Sequence, residues 1–294
     1  MTDIPPSFGV QPNMPPVTTR FAPSPTGLLH LGSAYSALFA EQAARKAGGR
    51  FLLRIEDIDR GRCRPEFEDA IYRDLEWLGI EWDGPVRRQS EHFDLYDHFL
   101  HSLEEGGLIY PCFCTRKEIA ASASAPHGPD GPLYPGTCKT LSRAETAERE
   151  AAGQSPAMRL HMDRAARMIG PLAFTDRERG IVPVDPVACG DVVLGRKEVP
   201  TSYHLSVTVD DGLQHISLVT RGADLLETTA IHRILQSLLG LPEPAYHHHR
   251  VLTDADGERL SKRQRSLTIA ALREAGKTPA EVRALVGFSG QTPS

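Results

Sequence analysis

The apolar positions change period several times along the chain. Val17 to Ala22 is a short β-type run, and Pro23-Ser24-Pro25-Thr26-Gly27 cannot continue it. From Leu31 the spacing turns helical, through Ala34, Tyr35 and Leu38. Phe51-Leu52-Leu53-Arg54-Ile55 follows Gly48-Gly49 and predicts a second, buried strand. Glu56-Asp57-Ile58-Asp59 lies at its C-terminal end, where α/β sheets bind ligands. Phe67, Ile71, Leu75 and Leu78 mark one amphipathic helix; Phe93, Tyr96, Leu100 and Leu103 mark another. This alternation predicts an α/β fold with a doubly wound parallel sheet. After Gly106-Gly107 the pattern breaks. Ile109 to Phe113 predicts a short strand, Ala120 to Pro135 is rich in Ala, Ser, Pro and Gly, and 157–199 mixes strand-like pieces with Pro and charge. Strict alternation returns in Tyr203 to Asp211, which predicts a strand, and Ile216 to Thr220 predicts another. Thr228 or Thr229 is placed to cap a helix through Ile231, Ile234, Leu235 and Leu238, stopped by Gly240 and Pro242. One more helix-like stretch runs from about Ile269 to Leu285. The expected divisions are a flexible Pro-rich tail (1–16), a first half of the α/β domain (17–106) and an insertion (107–200). The second half (201–240) and a polar loop with a short helical extension (241–294) follow.

Composition narrows the class. The 294 residues, 40% hydrophobic and 24% charged, suffice for one large domain plus an insertion. A formal charge of −5 excludes a chain-wide basic surface for nucleic acid but leaves room for a local basic groove. No run is apolar enough to span a membrane, and the N-terminus lacks a signal pattern. The odd count of five Cys, with a Cys-x-Cys among them, suits a reducing cytoplasm better than a disulfide framework. There is no internal repeat. No pattern predicts an oligomer, so a monomer is expected.

The chemistry concentrates in a few stretches. A strand, a Gly/Pro turn and a helix with His30 and Gly32 at its start make a phosphate site, because helix-start N–H groups point outward and Gly admits an anion. The spacing is neither a dinucleotide fingerprint nor a P-loop, and alone the stretch fits an ordinary βα loop slightly better. Arg259-Leu260-Ser261-Lys262-Arg263 sits in a polar loop after Asp254-Ala255-Asp256-Gly257. The pair, His30-Leu31-Gly32-Ser33 with Arg259 to Arg263, resembles the two signatures of class I aminoacyl-tRNA synthetases. Arg20-Phe21-Ala22-Pro23-Ser24-Pro25-Thr26-Gly27, Arg54 to Asp59 and Thr220-Arg221-Gly222-Ala223-Asp224-Leu225 narrow the resemblance to the glutamyl-tRNA synthetase catalytic domain, over about Thr19 to Arg263.

That resemblance implies a Rossmann-type catalytic domain that joins the carboxylate of L-glutamate to the α-phosphorus of ATP. His30, Gly32 and Lys262 would carry catalysis, and Ser33, His248, Leu260 and Ser261 would join them around ATP, with Mg²⁺ on the phosphates. Three consecutive His, His247 to His249, alternate faces on an extended chain and cannot converge on one metal. Arginine forks match carboxylates, so Arg20 and Arg221 form a natural pair for glutamate, with Ser24 as a hydroxyl partner. Glu56 can take the ammonium and Tyr203 can face the substrate; Phe21, Ala22 and Pro23 complete the implied glutamate-binding set. Rejection of glutamine follows, since a neutral amide would leave a guanidinium uncompensated, at a cost of about 2–5 kcal/mol.

Cys112-x-Cys114 followed by Cys138 fits either a structural zinc site short of one ligand or a set of free buried thiols. The family resemblance supplies Tyr134 as the fourth ligand of one Zn²⁺. His127 competes from a Pro/Gly-rich tip, while Cys63 and Cys189 are ordinary thiols. After Arg263 too little chain follows for an anticodon-binding domain. That departure, with the Cys-x-Cys and Tyr-x-x-x-Cys insertion, resembles the glutamyl-queuosine tRNA(Asp) synthetase family. It implies glutamate activation without tRNA, then transfer to queuosine at the wobble position of tRNA(Asp), whose anticodon loop would enter the crevice. Arg87, Arg88, Arg116 and Lys117 are basic, though each fits a solvated surface better than a phosphate contact. The rival readings are a compact glutamyl-tRNA synthetase acting at the 3′ end, a non-catalytic tRNA-binding paralogue, and a nucleotidylyltransferase.

Overall fold

The computed structural model describes residues 16–115, 117–119, 127–128, 131–252 and 268–288. The expected tail lies outside them except for Pro16, as do Arg116, most of residues 120–130, and the whole Leu260-Ser261-Lys262 stretch. The chain begins β1 (Thr18–Phe21), α1 (Leu31–Lys46), β2 (Arg50–Ile55), α2 (Pro65–Trp77), β3 (Arg87–Arg88) and α3 (Phe93–Glu105). Next come β4 (Ile109–Cys112), the short pair β5 (His127–Gly128) and β6 (Gly131–Pro132), α4 (Arg143–Ala151), β7 (Ala157–Leu160) and α5 (Met162–Ile169). Then β8 (Ala173–Asp176), β9 (Gly180–Pro183), α6 (Pro186–Cys189) and β10 (Val193–Gly195) lead to α7 (Tyr203–Leu213). The chain ends in β11 (Leu218–Gly222), α8 (Thr228–Leu238), β12 (Ala245–His249), α9 (Ile269–Glu274) and α10 (Pro279–Leu285).

Two sets of parallel strands lie edge to edge. β1, β2 and β3 pair in parallel, and so do β11, β12 and β8, with β9 added antiparallel to β8. β1 and β11 run side by side: the Ser217 N–H donates to the Thr18 carbonyl at 3.0 Å and Arg20 Nη1 to the Thr220 carbonyl at 3.2 Å. Both faces of the strands are covered, so even their polar residues, among them Thr19, Arg20, Arg54, Arg221 and His247 to His249, are buried. One core gathers Leu38, Phe51, Leu53, Ile71 and Leu75 with Ile269, Val282 and Val286 of the last helices. A second joins Tyr96, Leu100 and Leu103 to Leu160, Leu205, Val209, Ile231 and Leu235. β4, β7 and β10 form a separate antiparallel sheet within the expected insertion, whereas β8 and β9, from the same stretch of sequence, join the main sheet.

Three local expectations are corrected. Tyr203 to Asp211 forms helix α7, not a strand. Ser202 caps it by accepting from the Leu205 N–H, and every residue from His204 to Gly212 is buried. Ser206, Asp210 and Asp211 therefore point into charged or polar partners rather than water, so polarity there reports interior contacts and not a solvent face. At α8 neither Thr228 nor Thr229 caps; Glu227 holds that position and the Thr229 hydroxyl bonds the Leu225 carbonyl at 3.1 Å. The stretch from Ile269 to Leu285 breaks into α9 and α10 at Gly276, whose φ of 79° suits only glycine, and a Thr278/Glu281 capping box starts the second helix.

Asp210, fully buried on α7, ties β3 and α3 to the centre. It accepts from Arg87 Nε at 2.7 Å, Gln89 Nε2 at 2.9 Å and the Tyr96 hydroxyl at 2.8 Å. Asp210→Ala is expected to leave these donors unpaired and to lower stability by about 3–5 kcal/mol, read as a reduced urea midpoint; a change within about 1 kcal/mol contradicts this role.

Candidate active site

The loop from β1 to α1 is held over the C-terminal ends of the strands by two backbone bonds. Glu56 N–H donates to the Pro23 carbonyl and Arg64 N–H to the Pro25 carbonyl, each at 3.0 Å. Beneath it lies a cavity of about 610 Å³ whose near wall includes Phe21, Pro23, Ser24, His30, Gly32 and Ser33. Its far wall includes Gly222, Asp224, His249, Arg250 and Leu252. His30 is the N-cap residue of α1 in an extended conformation, and its side chain caps nothing. Its Nδ1 is buried without a hydrogen-bond partner among the described residues. A Cβ built at Gly32 would meet no atom within 4 Å, so packing does not demand the glycine. An uncapped helix start, an orphan ring nitrogen and a bare glycine facing one space suit an anion. Leu260, Ser261 and Lys262 lie outside the described residues. The chain leaves at Leu252 in the cavity wall and returns at Thr268, which bridges to His30 while Ile269 N–H bonds the Leu29 carbonyl at 2.9 Å.

A smaller cavity, about 190 Å³, shares Ser24 and Thr26 with the first and includes Glu56, Gln89, Arg196 and Tyr203. Next to it stands a buried charge network. Arg20 grips Asp211 with Nε at 2.9 Å and Nη2 at 3.2 Å. Arg54, wholly buried, reaches Asp211 at 2.8 Å and Glu56 at 3.1 Å, with Asp210 at 3.9 Å. Burial would raise the Asp211 pKa, but Arg20 and Arg54 outweigh it and hold the carboxyl below its usual value. For Glu56 burial wins over the same two arginines, and its pKa is raised. The Tyr203 phenol is raised by burial too, in the combined field of Arg221, Glu56, Arg20 and Asp211. The structure thus gathers Arg20, Glu56, Tyr203 and Arg221, with Ser24 on the rim.

Arg221 differs in its partners. Nε donates to His248 Nε2 at 3.3 Å, Nη1 meets His232 Nδ1 at 3.1 Å, and Nη2 donates to the Thr229 hydroxyl. No carboxylate forms an ion pair with it among the described residues. His248 is turned toward Asp176, 2.6 Å from its Nδ1, and away from the larger cavity, where its neighbour His249 forms part of the wall. Burial and then Arg221 lower the His248 pKa to about 4 and that of His232 well below its ordinary value. Both rings are therefore neutral. Asp211, Asp176 and His232 were missed by sequence reading. Paired Asp within an apolar run (Val207-Thr208-Val209-Asp210-Asp211) is the one signal that marked a buried charge.

The four expected metal ligands also meet. Cys112, Cys114 and Cys138 offer sulfurs all within 4.8 Å of one another, and Cys114 lies 3.5 Å from Cys138 and 3.6 Å from the Tyr134 hydroxyl. All three are free thiols. Tetrahedral bonds of about 2.3 Å set sulfurs about 3.8 Å apart, so the three sulfurs already lie near the spacing that a shared metal ion requires. The side chain of His127 is not among those described.

Residues 16–294 match the family model of tRNA synthetases class I (E and Q), catalytic domain. The chain belongs to this class I synthetase family. Its relatives include a glutamyl-Q tRNA(Asp) synthetase of Rhodobacter capsulatus, 50% identical over 92% of this chain and 99% of that one. Another, of Symbiobacterium thermophilum, is 44% identical over 90% and 83%. Among solved structures, a glutamate-tRNA synthetase of Elizabethkingia anophelis aligns with a TM-score of 0.78 at 28% identity. A glutamate tRNA ligase of Elizabethkingia meningosepticum, in complex with its amino acid, gives 0.76 at 26%. Each alignment takes in 95% of this chain, which spans 62% of the length of those structures. In this class I synthetase no helix among the described residues is long and apolar enough to cross a membrane.

The buried neutral histidines give a pH dependence with a definite sign. The unfolded chain protonates His248 and His232 below about pH 6.5, while folded His248 resists until about pH 4. Stability is thus present above the unfolded value and is lost as pH falls from about 6.5 toward about 4, by at most about 1.4 kcal/mol per pH unit per histidine. Urea midpoints measured between about pH 7 and about pH 5 are expected to fall; midpoints that rise contradict the neutral assignment.

Proposed function

We propose that this synthetase activates L-glutamate with ATP, without tRNA, and then transfers the glutamyl group to queuosine at the wobble position of tRNA(Asp). The observation that carries the reading is the buried Arg221, whose partners are all neutral, beside Glu56 and Tyr203 and next to an anion-suited helix start. A cationic fork without an internal counterion, a carboxylate that can receive an ammonium, and a phosphate cradle match the two substrates together. The relatives' names, glutamyl-Q tRNA(Asp) synthetase, support the acceptor.

In the first step a carboxylate oxygen of glutamate attacks the α-phosphorus of ATP, and the bond to pyrophosphate breaks. Arg221 holds one carboxylate. Arg20, fixed in plane by Asp211, steers the substrate from the other side. An ammonium beside Glu56 restores the ionised form that burial disfavours. His30 and the start of α1 at Gly32 and Ser33 meet the phosphates, and Lys262, from the stretch between Leu252 and Thr268, joins them there. Mg²⁺, where it is bound with ATP, would supply charge neutralisation at the phosphates. In the second step a hydroxyl of the queuosine cyclopentenediol attacks the acyl carbon, gives up its proton, and AMP leaves. The activity is assigned to the cytoplasm, where tRNA is present and the free cysteines stay reduced. Cys112, Cys114, Tyr134 and Cys138 would hold one structural Zn²⁺, which would staple the small insertion.

Glutamate-dependent ATP–pyrophosphate exchange in the absence of tRNA is the direct test, with base-labile label expected on queuosine-containing tRNA(Asp) only. Exchange that requires tRNA, with label on the 3′ end of tRNA(Glu), would identify a compact glutamyl-tRNA synthetase instead; no exchange would leave a binding protein. Gly32→Val is expected to keep the fold and raise the KM for ATP at least tenfold. Metal analysis should find one zinc per chain, lost in Cys138→Ser; unchanged stoichiometry removes Cys138 from the ligand set.

A further inference from the structure

The guanidiniums around the crevice are not balanced alike. Arg20, Arg54 and Arg87 each pair with at least one carboxylate within 3.1 Å, drawn from Glu56, Asp210 and Asp211. Arg221 is as deeply buried as Arg20, each 6% exposed, yet among the described residues it meets two imidazoles, a hydroxyl and the ring of Tyr246, and pairs with no carboxylate. The one carboxylate in this chain of contacts, Asp176, stands on the far side of His248. His232 is itself almost wholly buried on α8, and its Nε2 lies 3.2 Å from His204 Nδ1. A proton shared on that side leaves the Nδ1 lone pair of His232 facing the Arg221 fork. The ring therefore supplies direction without charge.

We infer that His232 is a positioning residue whose neutrality keeps the charge of Arg221 available to a substrate carboxylate, and that this sets the preference for an acidic over an amide side chain. The inference rests on the reading that Arg221 receives a carboxylate of glutamate. The physical reason is competition. A carboxylate at position 232 would neutralise the guanidinium from within, as Asp211 does for Arg20, and an incoming carboxylate would then meet no net charge. A neutral acceptor satisfies the N–H group and leaves the charge unmatched until substrate arrives, which an amide cannot do.

His232→Asp and His232→Asn separate charge from shape, because both set an oxygen near the Nδ1 position and both lose the contact to His204. In ATP–pyrophosphate exchange, His232→Asn is expected to stay within tenfold of the parent kcat/KM for glutamate. His232→Asp is expected to lose at least a hundredfold relative to His232→Asn, mainly through KM, while its loss for glutamine is smaller, so the preference narrows. Equal losses in the two variants, or an unchanged ratio between the amino acids, would overturn the inference while leaving the activity intact. Should His232→Asp fail to fold by thermal unfolding, Thr229→Asp and Thr229→Asn put the same contrast against the same guanidinium. Parent protein without glutamate-dependent exchange takes down both the activity reading and this one.

Discussion

Arg54 is the largest of the fully buried side chains, and a charge in that position can persist only if carboxylates surround it. Asp211 and Glu56 do so at 2.8 and 3.1 Å, and Asp210 stands 3.9 Å away. Asp211 also grips Arg20, while Asp210 takes Arg87. One helix, α7, thereby fixes three strands, β1, β2 and β3, through ionic contacts that admit little slack. Removing one member strands a charge in low dielectric, which is costly, so the members of the network hold one another in place. The site inherits that rigidity: Glu56 and Arg20 are oriented before any ligand arrives.

On the other side of the crevice the same chemistry is used with the opposite balance. β11 and β12 bring Arg221 and His248 level with each other in the parallel register. Neutral rings then hold the guanidinium by direction alone. Under the proposed function, the contrast between a compensated Arg20 and an uncompensated Arg221 leaves the crevice one positive charge to offer an acidic substrate. Specificity of this kind comes from what is withheld as much as from what is offered. The terminal helices contribute from a distance. Arg273 pairs with buried Asp74 at 2.8 Å and Arg283 donates to the Leu78 carbonyl at 2.7 Å, so the chain that returns at Thr268 is anchored to α2 and its end.

Much of the fold was legible in the chain. β1, α1, β2, α2 and α3 follow the apolar spacing closely because each packs one face on a core and another on solvent or a neighbouring layer. The Cys-x-Cys and Tyr-x-x-x-Cys spacing brought its four side chains together as expected. The misreading of Tyr203 to Asp211 as a strand has a single cause. Hydrophobic periodicity reports which side faces water, and this helix has no such side. The one long helix expected at the C-terminus divides because a glycine with positive φ turns the chain, something composition does not announce.

Local order along the chain was enough to mark the residue types of the candidate site: an arginine within a short strand, a His and Gly at a helix start, carboxylates at a strand end. Those are short-range facts, carried by neighbours in sequence. Which arginine carries a counterion depends on residues far apart in the chain. Arg20 meets Asp211 across a sequence separation of 191, and Arg221 finds histidines from two other elements. Charge balance in a buried crevice is a property of packed neighbours rather than of any segment, and only the folded chain could assign it.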